Sequence, residues 1–437
     1  MFAALQHRNF RLLWSGQLVS FSGSMMQQAA ILWHVSLLVP PDRRALALGM
    51  VGLVRVGPIV GFSLLSGVAA DALDRRRLMM ATQTASTIVA AALAALAFAG
   101  VQTTWPIYLL AALGAAAGAF DAPARQALVP SLVPREHLAN ALSLNQIVFQ
   151  AASVLGPSLG GVLIASFGVG AAYVFNAVSF LFVLVALGLM RNVPAIHVDE
   201  RASASLGAAR EGIRFVFSSP VIRSTMLLDF IATFFASATA LLPIFAQDIL
   251  HVGASGYGWL YAAPAAGSLL ASATMVRLVD RIERRGIVLL WAIGAYGAAT
   301  VAFGVSHTFW LTFFCLAVTG AADAVSTVLR GIIRQLMTPD RLRGRMTSIN
   351  MVFVMGGPQL GELEAGVVAN WKGAPFSVVV GGIGTLLAAA FIAARVPALR
   401  EYKRSAERHF FGVVDRTPVI STAAQGIQAR KLGETIE

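Results

Sequence analysis

Long apolar stretches alternate with short polar gaps along most of the chain, and about twelve of them reach the ~20 residues a helix needs to cross a bilayer. They run near 12–39, 46–70, 78–99, 105–124, 139–167, 170–190, 222–247, 256–279, 287–305, 309–329, 346–370 and 375–395. Strands of a membrane barrel would be shorter and would alternate in polarity. The pattern therefore predicts an all-α polytopic membrane protein with twelve transmembrane helices.

The polar gaps repeat. Asp71-Ala-Leu-Asp74-Arg75-Arg76 follows the second apolar stretch, and Asp280-Arg-Ile-Glu283-Arg284-Arg285 follows the eighth. Pro134-Arg-Glu-His-Leu138 and Ser143-Leu144-Asn145 lead into the fifth stretch as Pro339-Asp-Arg-Leu342 and Ser348-Ile349-Asn350 lead into the eleventh. Within those stretches Gly156-Pro157-Ser-Leu-Gly160-Gly161 matches Gly357-Pro358-Gln-Leu-Gly361-Glu362. The shared order predicts two six-helix halves, 1–190 and 222–395, with a cytoplasmic linker over 191–221 and a cytoplasmic tail over 396–437. Parallel repeats around a central cavity are how many carriers build alternating access. In the linker, Leu206, Ala209, Ile213, Val216 and Phe217 fall near one helical face with Arg210 and Arg214 opposite, a pattern that suits an amphipathic helix on the inner membrane surface, with a simple connector helix as the plainer reading. The tail opens with Arg400, Lys403, Arg404 and Arg408, a basic run suited to anionic lipid.

A content of 57% hydrophobic and 12% charged residues excludes a string of soluble domains. The net charge of +12 would suggest nucleic acid as a partner of a soluble chain, but its placement points to topology instead. With the N-terminus inside, 29 of the 33 Lys and Arg fall in cytoplasmic gaps or termini; Arg43, Arg44 and Lys372 fall outside and Arg55 within a span. Both termini are therefore expected in the cytoplasm. The lone Cys315 can form no intramolecular disulfide. The first apolar run is too long for a signal-peptide core and reads as a retained span.

Gly67-Val-Ala-Ala-Asp71-Ala-Leu-Asp74-Arg75-Arg76-Arg77 resembles the signature between helices two and three of the major facilitator superfamily, with Ala72 for the usual basic residue and Asp74 for the usual glycine. Gly156-Pro157 with Gly160-Gly161 is similar to the helix-five signature of its exporters, with Ala152 at the first glycine position. The arginine common early in helix four is absent. Phe120-Asp121-Ala-Pro123-Ala-Arg125-Gln126, Gln359-Leu-Gly361-Glu362-Leu-Glu364-Ala-Gly366 and Gly381-Gly382-Ile-Gly384-Thr385 resemble the branch containing the enterobactin exporter and macrolide-efflux-like proteins. The resemblance runs from Phe10 to about Leu399. It implies a multi-pass protein of the bacterial inner membrane that exports a small organic molecule, siderophore-like or drug-like, by alternating access and proton antiport. It implies membrane lipids as partners and no cofactor.

In that fold Asp71 would meet the positive N-terminus of helix eleven, while Arg75, Arg76 and Arg77 bridge acids on the same face. Gly67, Asp74, Asp280, Glu283, Arg284 and Arg285 complete the expected gate. A run that only fixes topology would explain the arginines but not the repeated acids. Gly156, Gly160, Gly161 and Gly357 permit close helix contact, and Pro157 and Pro358 favour bending; ordinary packing is the plainer reading of these. Polar groups inside spans are expensive, so Gln27, Gln28, Arg55, Gln146, Gln150, Asn176, Asp229, Glu362 and Glu364 are candidates for proton coupling or cavity lining. Asp229 reads as an isolated acid among Leu227, Leu228, Phe230 and Ile231, suited to carrying a proton, with a partnered structural acid as the alternative. Arg55 matches the depth of Glu362 and Glu364, and a pair with Glu362 is expected, either as an outer gate or as a permanent tie. Asp121 with Arg125 and Asp323 with Arg330 read as local ion pairs. His34 reads as a structural group and Met25 and Met26 as core. No Gly-Lys-Ser/Thr loop, His-Glu-x-x-His pattern or Gly-x-Ser-x-Gly turn is present, which argues against an enzyme. A non-transporting sensor on a transporter fold, or a passive carrier, would share these features.

Overall fold

The structure is a computed structural model and describes residues 3–191, 214–235 and 238–404. Of the linker helix expected around Leu206 only the end is described: 214–218 is helical, with Val216 buried and Phe217 exposed, while 192–213 and most of the tail, beyond 404, lie outside the described residues. Among the described residues there is no strand. The long helices are α1 (Arg8–Leu38), α2 (Pro41–Ala72), α3 (Arg75–Phe98), α4 (Trp105–Leu128), α5 (Leu138–Phe167) and α6 (Val169–Leu189). They continue as α7 (Pro220–Phe235), α8 (Gly253–Leu278), α9 (Arg285–Gly304), α10 (Phe309–Met337), α11 (Asp340–Lys372) and α12 (Ala374–Arg395).

Ten of the described spans are long and apolar enough to cross a membrane by composition alone; α1 and α11 are not among them. Both are long enough, at 31 and 33 residues, but they carry Gln17, His34 and Glu362. Those side chains are buried, so the helices turn their polar groups into protein rather than lipid.

Helix packing repeats the sequence duplication. In the first half α1 packs on α5 and α6, α2 on α4, and α3 on α4 and α6. In the second half α7 packs on α11 and α12, α8 on α10, and α9 on α10 and α12. Two crossings join the halves, α5 with α8 and α2 with α11, and these too are equivalent under the repeat. Single glycines link α5 to α6 and α11 to α12: Gly168 at φ +80° and Gly373 at φ +92° end their helices in the left-handed region, which a Cβ disfavours.

The seventh span, 220–249, is not α-helical throughout. Beyond α7 its described residues form a 3₁₀ turn, Ala238–Leu241, and finish in a π turn, Phe245–Ile249. Pro243, which lacks an N–H donor, sits between them. A second difference concerns charge. Arg125, Arg330 and Arg334, which sequence patterning places in polar gaps, lie inside α4 and α10.

The apolar core shows how the halves are joined. At the end where α1 finishes, one cluster takes residues from both: Ala29, Leu32, Trp33 and Leu48 pack with Leu241, Phe245, Tyr257 and Leu260. At the opposite end, which carries the start of α1 and the finish of α12 and is called here the terminal end, the core divides. Phe10, Leu13, Met79 and Leu128 cluster within the first half, and Val221, Leu289, Leu329 and Ile333 within the second.

Candidate transport site and the seal between the halves

Small residues make the seal at the far end. Gly161 of α5 crosses Gly258 of α8 so closely that a Cβ on Gly161 would stand 2.6 Å from the Ala254 carbonyl oxygen. Gly49 of α2 crosses Gly366 of α11, where a Cβ on Gly366 would stand 2.6 Å from the Ala45 carbonyl oxygen. Close backbone approach of this kind is what small residues supply between membrane helices. Gly49 precedes Asp71 by the same interval as Gly258 precedes Asp280, so the two glycines correspond. Their partners do not. Gly161 corresponds to Glu362, yet α11 meets Gly49 one turn further on, at Gly366. Glu362 falls beside Gly52 instead, where a Cβ would stand 2.8 Å from the Glu362 Cβ.

Polar contacts lie over these crossings. Arg44 of the first half donates to both carboxylate oxygens of Asp248 of the second, at 2.9 and 2.7 Å. Gln247 Nε2 donates to Ser36 Oγ at 2.7 Å, and the Tyr257 hydroxyl donates to the Ala29 carbonyl at 2.9 Å while its ring stacks on Trp33. Deeper, Gln150 of α5 donates to Ser268 of α8 at 3.3 Å. Asp248 is half-exposed, so its pair with Arg44 is worth at most about 1 kcal/mol. Replacing Arg44 with alanine is expected to raise the population opened at this end by up to about fivefold. Exchanging the two charges, Arg44→Asp with Asp248→Arg, should recover most of that loss in a distance measurement across the far end.

At the terminal end the expected gate residues bond within their own halves. Arg75 donates to the Ala127 carbonyl at 2.8 Å and Arg76 to the Gly188 carbonyl at 3.1 Å, while Asp74 caps α3 by accepting from the Arg77 N–H at 2.8 Å. In the second half Arg404 holds the carboxylate of Asp280 at 4.0 Å, and its N–H donates to the Glu283 carbonyl at 2.8 Å. Arg284 is exposed and Arg285 buried. Gly67 and Asp71 lie on α2 with their side-chain positions outside the described residues. The bridge from Asp71 to helix eleven falls on a side chain outside the described residues. At this end Gly57 and Gly61 of α2, Gly331 of α10 and Gly356 of α11 all face open space.

The interior charges are paired in a way sequence spacing does not show. Asp229 is not isolated. Arg330 of α10 reaches it at 2.9 Å and Arg334 at 3.9 Å, so the partnered alternative describes it. Arg330 also reaches Asp323 at 3.4 Å, a secondary contact rather than the principal local pair. Arg334 additionally donates to Asn350 of α11, which ties α7, α10 and α11 together. In the first half Asp121 pairs with Arg125 and accepts from Thr82 at 3.1 Å and Gln83 at 2.9 Å. The Arg125 guanidinium lies 4.2 Å from the ring centre of Phe21, whose edge contacts Phe149.

The remaining candidates divide by neighbour. Asn176 donates to Gln27 at 2.8 Å and accepts from Ser179, which fastens α6 to α1. Gly156 and Gly160 fit against Ser22, Met25 and Met26 of α1, and Gly357 fits against Thr233 of α7. Pro157 and Pro358 lie within α5 and α11. Gln28 is half-buried and Gln146 exposed. Arg55 acts electrostatically on Glu362, but the two form no ion pair within 4.0 Å. Glu364, about 200° around α11 from Glu362, is half-buried. His34 meets the Tyr173 hydroxyl at 3.2 Å. Sequence reasoning missed Asp248, Arg334, Gly49, Gly52 and Gly258 as functional positions. Only Gly49 and Gly258 had a signal, their correspondence under the repeat.

Comparison with known proteins agrees with this architecture. A family model of the major facilitator superfamily, described as transmembrane secretion effector, matches residues 1–418. The enterobactin exporter EntS of Citrobacter koseri is 28% identical over 350 residues, covering 80% of this chain and 82% of that protein. EntS of Escherichia coli O1:K1 is 27% identical over 355 residues, covering 81% and 83%. Among solved structures, a bacterial homolog of the human lysosomal transporter Spinster, inward-facing and unoccupied, superposes with a TM-score of 0.68 at 18% identity, covering 91% of this chain and 99% of that one. A bacterial homologue of the iron transporter ferroportin, also inward-facing, gives 0.66 at 18% identity, covering 89% and 98%.

Proposed function

The chain belongs to the transmembrane secretion effector family of the major facilitator superfamily, and on that premise we propose that it exports a small organic molecule by alternating access driven by proton antiport. The observation that carries the reading is the unequal core, single at the far end and divided at the terminal end. Two six-helix bodies joined at one end and parted at the other form a vessel open to one side of the membrane. The basic residues concentrate at the terminal end, and the positive-inside preference supports a cytoplasmic location for that end and both termini. The cavity then faces the cytoplasm, and the glycine crossings close the outside.

Phe21, Phe149 and Arg125 contact one another in the first half, as do Phe230, Phe234 and Phe353 in the second, and on this reading these are the surfaces that cargo from the cytoplasm would meet. Aromatic faces with a few convergent polar groups suit an aromatic, hydrogen-bonding molecule, a description that fits siderophores and many drugs. The related proteins named for enterobactin export make enterobactin the first probe to test. Purified protein in liposomes with an imposed proton gradient is expected to concentrate enterobactin against its own gradient. Movement only down the enterobactin gradient would identify a passive carrier. No movement of enterobactin or of a panel of aromatic drugs would refute export.

A further inference from the structure

The acid on α11 that interrupts the seal has a setting unlike that of the other buried acids described, Asp121 and Asp229. Asp121, Asp229 and Asp323 each have an arginine within 4.0 Å. Glu362 has none, although its residue is only 7% exposed and its Oε2 is buried with no hydrogen-bond partner. Its position is also particular. It stands at the crossing of the two halves, against Gly52 of the other half, in the place where the equivalent crossing has Gly161. Each neighbouring element bears on it differently. α2 brings Arg55, and α8 brings Tyr261 and Tyr257 within electrostatic range. α7 carries Asp229, already held by Arg330, and Arg223 in its first turn, the 238–241 turn brings no charge, and α12 carries only Arg395 at its far terminus. On α11 itself Glu364 faces away from α2.

We propose that Glu362 is a proton-binding site whose occupancy is tied to closure of the far end. A buried carboxylate without a partner is costly, whereas the neutral acid tolerates the same surroundings. Closing the seal therefore requires Glu362 to take up a proton from water, and opening it returns water and lets the proton leave. The two halves part along the α2–α11 crossing, and their separation at the far end wets this group from outside. This deepens the exporter reading by naming the coupling residue, and it rests on that reading for the direction of transport. The far end would close on a proton gathered outside, and inward coupling then requires the sealed protein to pass that proton to its cytoplasmic cavity before the far end reopens with cargo.

The test needs no cargo. In full-length protein in nanodiscs, with Cys315→Ser and Ser36→Cys, the reaction rate of the buried thiol with a polar maleimide reports opening of the far end. One linked proton is expected to raise the ratio of open to sealed protein by up to about tenfold per pH unit over the titrating range. Glu362→Gln, which mimics the neutral acid, is expected to stay sealed at every pH. Glu362→Asp should keep the response with a displaced midpoint. The infrared band of a neutral carboxyl in unsubstituted protein should vanish with the same midpoint, a readout that does not depend on any variant folding. An unchanged pH response in Glu362→Gln, or its loss in Glu364→Gln with retention in Glu362→Gln, overturns the proposal. Failure of enterobactin transport alongside an intact Glu362-dependent response would instead refute only the exporter reading.

Discussion

Replacing Arg330 with alanine is expected to destabilise the second half by about 3–5 kcal/mol, because it leaves the buried Asp229 without its principal counter-charge. Arg330 has only 2% of its side chain exposed, and it joins Asp229 of α7 to Asp323 of its own helix. Arg334 stands further off, at 3.9 Å, and is already engaged with Asn350, so it compensates only in part. A buried pair need not stabilise relative to an apolar one, and the expected cost is that of breaking it. Arg330→Met combined with Asp229→Leu should therefore be much milder than Arg330→Ala alone. Unfolding of the detergent-solubilised protein, followed by helix content against denaturant, measures both. Equal losses in the single and double variants would show that the helices need those side chains for some other reason.

Substituting Gly258 with leucine is expected to bar closure of the far end. A side chain there meets the Pro157 carbonyl and the Gly161 backbone rather than a movable side chain, so the crossing must separate. Overpacking a fitted site costs typically about 1–3 kcal/mol, and 2 kcal/mol is roughly a thirtyfold shift toward the open arrangement. Spin labels at the exposed Arg43 and His307, one in each half, should report a longer distance in this variant than in the parent. Gly57→Leu, at a position of α2 with open space around it, should leave that distance unchanged.

The sequence revealed the parts whose physics is local or periodic. Apolar length sets the helices, and the repeated acid-and-arginine gaps expose the duplication that α8 and α10 reproduce from α2 and α4. What it hid depends on contacts between distant positions. Asp229 looks isolated because the arginine that holds it lies on a helix three spans later. Arg125, Arg330 and Arg334 look like loop charges because their helices run past the apolar segment and bury the basic ends in protein. The seal was half visible: Gly161 stands in a recognisable glycine pattern, but its partner Gly258 lies in an ordinary-looking stretch. The 3₁₀ and π turns at the end of the seventh span have a sequence correlate in Pro243, which an apolar window smooths over.

The central claim is that the two halves open alternately, and labels at both ends test it most directly. One pair, at Arg43 and His307, spans the far end; a second, at Glu136 and Arg281, spans the terminal end, and all four residues are exposed. Electron–electron distance measurements in nanodiscs, in the parent protein across pH and in Gly258→Leu, should show the first distance lengthening as the second shortens. Both distances lengthening together, or each staying fixed while the other changes, would contradict alternating access in this protein.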